Sequence, residues 1–401
     1  MRRTTRVAVI GGGIGGLSAA HALRRRGFEV SVYEASPELR EIGAGVALGP
    51  NAMKALRSVG LEEPVREIGW EPDHTMLHNG ITGRVISKTS RASAAEAYGA
   101  SGCMIHRADL LDRLATNLPG VLVELAARCD GARTEGDVAI AHFSDGREIE
   151  ADVVVGADGI HSAVRESLFG VDAPRFTGKI CYRSIVPSAA VADVPEIHDG
   201  TWLGPHGTIV TYRVRRGELV NVVCHYDDEH YKHESWITQC DKSEVVERYS
   251  RWHDALKRLF SAGELWYKWA LYDRDPIPEW TAGRVTLLGD SAHAMLPYLG
   301  QGAGQAIEDG CILATALGEI PEDAPMALRL YERVRRPRAS RVVLASRARG
   351  VDNHLSSPIA ALRRDLRIAF RKRFTGNRVS GRADDWIPAY DAGSHEVLSA
   401  G

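Results

Sequence analysis

The chain has 401 residues, 44% hydrophobic and 25% charged, with a formal net charge of −2 at pH 7. That length suits two or three domains with a sizeable core, and the near-neutral balance excludes a global field that would gather nucleic acid or an anionic membrane surface. No run of about 18 apolar residues occurs, so no membrane span is expected. The six cysteines are scattered without Cys-x-x-Cys pairs. They read as reduced thiols of a cytoplasmic protein, with no metal site.

The first seam is Arg6-Val7-Ala8-Val9-Ile10-Gly11-Gly12-Gly13-Ile14-Gly15-Gly16. A short buried strand runs into Gly-x-Gly-x-x-Gly and then a helical stretch, Leu17 to Arg26. The pattern predicts a strand, a tight turn and a helix whose N-terminus faces a pyrophosphate. Gly11 lets the chain turn, Gly13 keeps side-chain atoms away from phosphate oxygens, and Gly16 lets the helix approach the strand. Ile14 and Gly15 complete the turn. A second apolar run, Glu29 to Tyr33, ends in Glu34, 18 residues past Gly16, with Ala35 next. A carboxylate there accepts both ribose hydroxyls and repels a 2′-phosphate. A secretory signal is the weaker reading of this start, because glycines, His21 and Arg24-Arg25-Arg26 interrupt the apolar stretch.

Residues 40–51 form a glycine-spaced loop that leads into a helix, Ala52 to Val59. Gly45 and Val46 there permit close backbone approach to a flat ligand, or make a plain turn. Residues 70–100 read as strands and polar loops. His106-Arg107-Ala108-Asp109 opens a helix running to Leu118, and Arg107 in its first turn opposes the macrodipole, which suggests an anionic partner. Val121 to Leu125, Val138 to Phe143 and Ile149 to Val155 read as strands. The last ends in Gly156-Ala157-Asp158-Gly159, followed by a Ser162-x-x-Arg165 helix start. Residues 172–280 read as an antiparallel sheet and then a helix from about Ser243 to Phe260, with Trp266, Trp269 and Trp280 at a domain join. A third strand, Arg284 to Gly289, ends in Asp290. Gly300-Gln301-Gly302-Ala303-Gly304 then starts another helix. Arginine-rich helices over 326–349 and 358–373 read as solvated faces, and the chain's end as mobile.

There is one dinucleotide fingerprint and no convincing second. Asp158 and Asp290 each end a strand, which places both at the carboxyl edge of one sheet, where ligands bind. An extended ligand with many hydroxyls, anchored by Glu34 and Asp290, suits FAD better than NAD. The helix start at Gly302-Ala303-Gly304 points its dipole at the flavin ring.

These motifs resemble those of class A flavoprotein monooxygenases, aromatic hydroxylases with a para-hydroxybenzoate-hydroxylase-type fold. The resemblance rests on Gly11-x-Gly13-x-x-Gly16, Gly156-Ala157-Asp158-Gly159, Gly289-Asp290-x-Ala292-His293, Pro297 and Gly300-Gln301-Gly302. Gly43-Ala44-Gly45-Val46, His106-Arg107-Ala108-Asp109-Leu110, Leu271-Tyr272-Asp273-Arg274-Asp275-Pro276 and Tyr390-Asp391 add similarity to the salicylate-hydroxylase-like branch. It implies an α/β fold: a Rossmann-like FAD-binding domain (1–171 and 281–350), an inserted antiparallel-sheet substrate domain (172–280, joined by about 70–100) and a C-terminal helix and tail (351–401). It also implies bound FAD, transient NADH or NADPH, and oxygen transfer from a flavin C4a-hydroperoxide to an electron-rich ring. The partners implied are a small aromatic substrate, salicylate or a related hydroxylated acid, and O2, in a monomer or homodimer. Glu34 would hold the adenosine ribose, Arg107 and Asp290 the pyrophosphate–ribityl stretch, and Asp158 the flavin and nicotinamide phases. Pro297 would border the reacting ring.

One departure matters. Relatives that act on phenols resemble each other in a strand histidine four residues before a tyrosine. Here the tyrosine is Tyr212, but Thr208 stands at the histidine position. His206, two residues earlier, is either a substitute base or a loop histidine without a role. Arg213 meets a substrate carboxylate or lies exposed on an edge, the latter favoured. His225 and Tyr298 are further pocket candidates, whereas His293 reads as structural. A hydroxylase of a larger biosynthetic aromatic compound, or a flavin oxidase without hydroxylation, are the rival readings.

Overall fold

A computed structural model describes residues 4–39, 44–235, 237–375 and 384–394. Part of the glycine-spaced loop, 40–43, and the ending expected to be mobile, 395–401, lie outside the described residues.

Two sheets carry the architecture. The first has six strands in the order 281–282, 285–287, 153–156, 6–10, 29–33, 122–124. Its central strands are parallel and mostly apolar, as strands covered on both faces tend to be. Ile10 stands beside Gly156, and Gly156 beside Leu287. The three turns that follow these strands therefore open on one edge, as the strand-end acids implied. Helices Ile14–Arg25 and Gly302–Glu319 pack over this sheet.

The second sheet has eight strands in the order 239–240, 266–273, 175–187, 219–227, 207–214, 200–204, 74–79, 85–90. Two of them come from the stretch before residue 100. One face bears Tyr182, Trp202, Ile209, Val222 and Cys224 and packs on helices Lys242–Arg248 and Asp254–Ala262. The opposite face presents Cys181, Val223, Trp269 and Leu271 against Leu296 and Tyr298. Strand alternation decides this division, since neighbours in sequence point to opposite faces.

Several local expectations change. The single helix expected over 243–260 is two, because Trp252 turns inward against Gly80 and Gly204 and His253 accepts from the Ala255 N–H to start the second. Residues 70–100 also contain a helix, Arg91–Tyr98. The three tryptophans do not share one join: Trp280 lies in the first core, Trp266 in the second, and Trp269 on the opposite sheet face. The arginine-rich helix, Ala324–Asn353, is not solvated throughout. Arg335 is fully buried, and Arg338 is nearly so, beside the carboxylate of Glu308.

Candidate active site

The first end of the site is the glycine turn. Gly11 has φ +109°, and a Cβ on it would overlap the Ala157 carbonyl oxygen. A Cβ on Gly16 would overlap the Gly11 carbonyl, and one on Gly15 would press on Leu288 and Ala306 at 3.0 and 3.1 Å. A Cβ on Gly13 would meet nothing within 4 Å among the described residues. Gly13 caps the helix that starts at Ile14, and no side chain satisfies that helix's first N–H groups, which suits an anion. Glu34 stands at the same turn. Its carboxylate accepts from Gly12 N–H at 2.6 Å and from Ser36 N–H at 2.8 Å, and Ala35 follows half-buried.

The two strand-end acids, alike in sequence, differ in space. Asp158 is half-buried and accepts from Ser162 Oγ at 2.5 Å, Val164 N–H at 3.1 Å and Ser291 Oγ at 3.2 Å. It caps the helix at 163 and ties that turn to the one after Gly289. Burial raises its pKa, with the hydrogen bonds opposing. Asp290 is exposed at the start of its short helix, with no partner among the described residues. Of the two, Asp290 has a carboxylate open to a ligand's hydroxyls.

Gly45 and Val46 lie on the ribbon 45–48, which pairs with 103–106. The Arg107 N–H donates to the Ala44 carbonyl at 2.6 Å, so Arg107 adjoins Gly45. The ribbon meets the large sheet at Tyr212: a Cβ on Gly45 would lie 2.5 Å from its Cε2 and 2.8 Å from its hydroxyl. Asn221, opposite Tyr212 in register, accepts the Gly45 N–H at 2.7 Å. Burial pushes the Tyr212 phenol up to about 12, so it keeps its proton at neutral pH.

The far end is the turn Pro297–Leu299 and the helix start at Gly302. The Pro297 carbonyl accepts Gly300 N–H at 2.9 Å. A Cβ on Gly302 would meet nothing within 4 Å among the described residues, Ala303 is half-buried, and a Cβ on Gly304 would lie 3.4 Å from that of Ala52. Beneath it Glu308 and Asp309 are locked by Arg335 at 2.6 and 2.7 Å, and His293 meets Asp309 at 2.6 Å. His293 is thus a fixed part of the frame.

Facing this turn, the sheet carries buried polar atoms without partners among the described residues: Thr208 Oγ1, Asn221 Nδ2 and both ring nitrogens of His225, together with Tyr298 Oη and His354 Nε2 from above. His225 stands opposite Thr208 in register, and its ring lies 5.0 Å from that of Tyr298. Such atoms are costly unless matched, which suits a ligand with polar substituents. Arg183 falls on the same face by alternation, its guanidinium 5.2 Å from the Trp269 ring.

Two candidates fall away from this cluster. His206 sits in the hairpin turn with φ +57°, its side chain 52% exposed and Nδ1 3.5 Å from Asp227. Arg213 is neither exposed nor open to a substrate. It donates to Asp199 at 2.5 and 2.8 Å and lies 4.1 Å from the Trp70 ring centroid. The expectation of an exposed edge arginine is corrected: cross-strand neighbours cover it. Asn221, Arg183 and His354 were not singled out in the sequence. A signal existed for Asn221, a polar residue inside the apolar run Leu219 to Cys224; His354, just past a long helix, had none.

The bare space at Gly13 and Gly302, Glu34 at the turn, and two helix starts without side-chain caps fit a long dinucleotide such as FAD. Comparison with known proteins agrees. The FAD binding domain family matches residues 4–346. The chain is 39% identical to a 3-amino-4-hydroxybenzoate 2-monooxygenase of Streptomyces platensis, over 87% of this chain and 89% of that one. It is 36% identical to the 6-hydroxynicotinate 3-monooxygenase of Pseudomonas fluorescens, over 85% and 90%. With the salicylate hydroxylase of Pseudomonas putida the identity is 33%, over 96% and 92%. A salicylate hydroxylase substrate complex superposes with a TM-score of 0.83 at 29% identity, covering 99% of this chain and 98% of that one. The chain belongs to the FAD binding domain family, as a class A flavoprotein monooxygenase of the salicylate-hydroxylase type.

Proposed function

We propose that this protein hydroxylates the ring of a hydroxylated aromatic acid, with FAD bound along the edge from Gly13 to Gly302, reduced nicotinamide as transient donor and O2 as oxygen source. The observation that carries the reading is the set of unmatched buried polar atoms on the sheet face opposite Pro297–Gly302. Among them stand Val210, Val223, Trp269, Leu271 and Leu296. An apolar chamber with a few polar points fits a flat ring with polar substituents.

In this reading Glu34 takes the ribose hydroxyls, the helix start at Ile14 the pyrophosphate, and Arg107 and Asp290 the pyrophosphate–ribityl stretch. The N–H groups at 302–304, left without a side-chain cap, would be free to meet the polar edge of a flavin ring. Bound FAD supplies the two-electron reduction of O2 and the transfer of one oxygen atom to the ring. The protein's residues do the rest. Asp158 holds two turns together so that Asp290 stays in place. Tyr212, kept protonated because burial pushes its pKa up to about 12, would offer its hydroxyl hydrogen where ribbon and sheet meet. Arg183 offers charge to a substrate carboxylate. The sheet excludes water from the ring, which strengthens each of these contacts.

The reading includes a cytoplasmic location, supported by six free thiols, and a monomer or homodimer. No helix among the described residues is long and apolar enough to cross a membrane. The test is to load the protein with FAD and present salicylate, 3-hydroxybenzoate and 6-hydroxynicotinate with NADH and NADPH. Faster nicotinamide oxidation with a product one oxygen heavier is expected. Peroxide alone, at a rate no acid changes, would favour an oxidase.

A further inference from the structure

Thr208 leaves the substrate side of the sheet without the strand histidine that would take a proton from a ring hydroxyl. We propose that His354, oriented by Asp227, is the proton acceptor for that hydroxyl. The inference rests on the aromatic-acid reading above.

His354 ends the long helix Ala324–Asn353 and is buried. Its Nδ1 lies 2.7 Å from Asp227 Oδ1. Lys179 Nζ is 2.5 Å from the same oxygen and 3.5 Å from Nδ1. Burial alone would raise the Asp227 pKa, but the hydrogen bonds from His354 and Lys179 outweigh it and hold the carboxyl below its ordinary value. Asp227 is therefore an anion at neutral pH, and Nδ1 carries the hydrogen. The lone pair is left on Nε2, a buried atom with no partner among the described residues. The ring stands edge-on to Tyr298 at 5.3 Å, and Tyr298 directly follows Pro297. Arg364 fixes the position by donating to the Asp352 and Asn353 carbonyls at 2.9 and 3.4 Å.

The other histidine of the cluster cannot do this work. His225 is buried without an acid beside it, and burial first, then His354, Arg183 and Lys179, push its pKa well below the usual range. A base must hold the proton it accepts, and only His354 has a carboxylate to stabilise the imidazolium. Burial lowers the His354 pKa, and Lys179 and His206 add to that, but Asp227 opposes both. Tyr298, raised well above 10 by burial, stays protonated.

The step balances simply. The hydroxyl O–H bond breaks, its electron pair stays on oxygen and enriches the ring, and the proton forms an N–H bond at His354 Nε2. The second oxygen of Asp227 faces exposed His206 at 3.5 Å, which gives the proton a way to solvent.

The test uses FAD-loaded wild type, His354→Gln, Asp227→Asn and His225→Gln. One readout is product formation against pH, with whichever of the three hydroxy acids wild type hydroxylates. The other is the ionised fraction of bound 3-hydroxybenzoate, read from its ultraviolet absorbance without turnover. Wild type should lose activity only below the ordinary histidine range, because the base must be unprotonated. His354→Gln should lose roughly 100-fold or more at pH 7 and recover as the substrate ionises by itself at high pH. It should keep its FAD and its rate of flavin reduction by NADH, and bind less of the acid in ionised form. Asp227→Asn should give a smaller loss, about 10-fold, with the acid limb moved lower, while His225→Gln keeps the limb. Unchanged ionised fraction and pH profile in His354→Gln overturn the proposal, as does transfer of these effects to His225→Gln. If His354→Gln fails to fold, an unmoved acid limb in Asp227→Asn overturns it. Wild type that binds none of the three acids overturns the aromatic-acid reading and takes this proposal with it. Wild type that hydroxylates one while His354→Gln matches it leaves that reading standing alone.

Discussion

Two buried polar clusters, one seated on the helix Gly302–Glu319 and one on the face of the eight-stranded sheet, are built on opposite plans. In the first, Asn51, Gln305, Glu308, Asp309, Arg335 and Arg338 bind one another, with Asn51 Oδ1 left over. Glu308 alone accepts from Asn51, Gln305, Arg335 and Arg338 at 2.6 to 3.1 Å. In the second, Thr208, His225, Tyr298 and His354 each keep at least one buried polar atom that no group among the described residues meets. A buried charge survives only with partners, so the first cluster fixes the frame. Unmatched atoms weaken a fold, so the second is explained by what it binds. Stability belongs to one cluster and recognition to the other.

The sharpest way to break this contrast is Arg335→Met. It removes the guanidinium shared by two buried carboxylates, leaving Glu308 to Arg338 and Asp309 to His293 alone, and should cost about 3–5 kcal/mol, measured by urea unfolding. A loss under about 1 kcal/mol would mean that the first cluster is not the frame. The glycine turn offers the same contrast on a smaller scale. Gly16→Ala collides with the Gly11 carbonyl and should cost about 2 kcal/mol or more. Gly13→Ala meets open space, so the melting temperature of the FAD-free protein should hold while FAD affinity falls about 10-fold, which titration by flavin fluorescence would read. Equal behaviour of the two variants would remove the argument for a ligand at Gly13.

Acid should probe the first cluster selectively. Burial would raise the Asp309 pKa, but His293 and Arg335 bring it down to about 2. A carboxyl lowered on folding stabilises above its unfolded value, and that contribution is lost as pH falls toward about 2. Unfolding should steepen below about pH 4, and Asp309→Asn should flatten it. Tyr298→Phe removes an unmatched hydroxyl. It should leave stability within about 1 kcal/mol or raise it, while KM for the aromatic acid rises severalfold. The smallest effect is expected from Arg213→Ala. Its ion pair with Asp199 is partly exposed, and its loss should cost about 1 kcal/mol with kcat unchanged.

Much of the cofactor side was legible in the chain itself. Gly11, Gly13 and Gly16 announce a strand–turn–helix because each does a local steric job. Asp158 and Asp290 are recognisable as strand ends, but not as different. Asp158 is consumed by Ser162 and by Ser291, which lies 133 residues away; no local pattern shows that. Arg213 was expected on an exposed edge, and Asp199 and Trp70 cover it. The arginine-rich stretch gave no sign that Arg335 turns inward, since charge density alone does not reveal which residue meets two buried acids.

The substrate side divides in the same way. Alternation along 207–214 and 219–227 already puts Thr208 and Tyr212 on one face with Asn221 and His225. The sequence by itself therefore determined the dinucleotide turn, the strand ends that share an edge, and the face of the sheet. These follow from backbone sterics and a two-residue period, which act over a few positions. Only the tertiary structure decided which polar atoms on that face are matched. Asp227 and His354 are 127 residues apart, and Gly45 and Asn221 are 176 apart. Partners at such separations are chosen by how whole layers pack, and that packing turns a buried histidine into a base or leaves it inert.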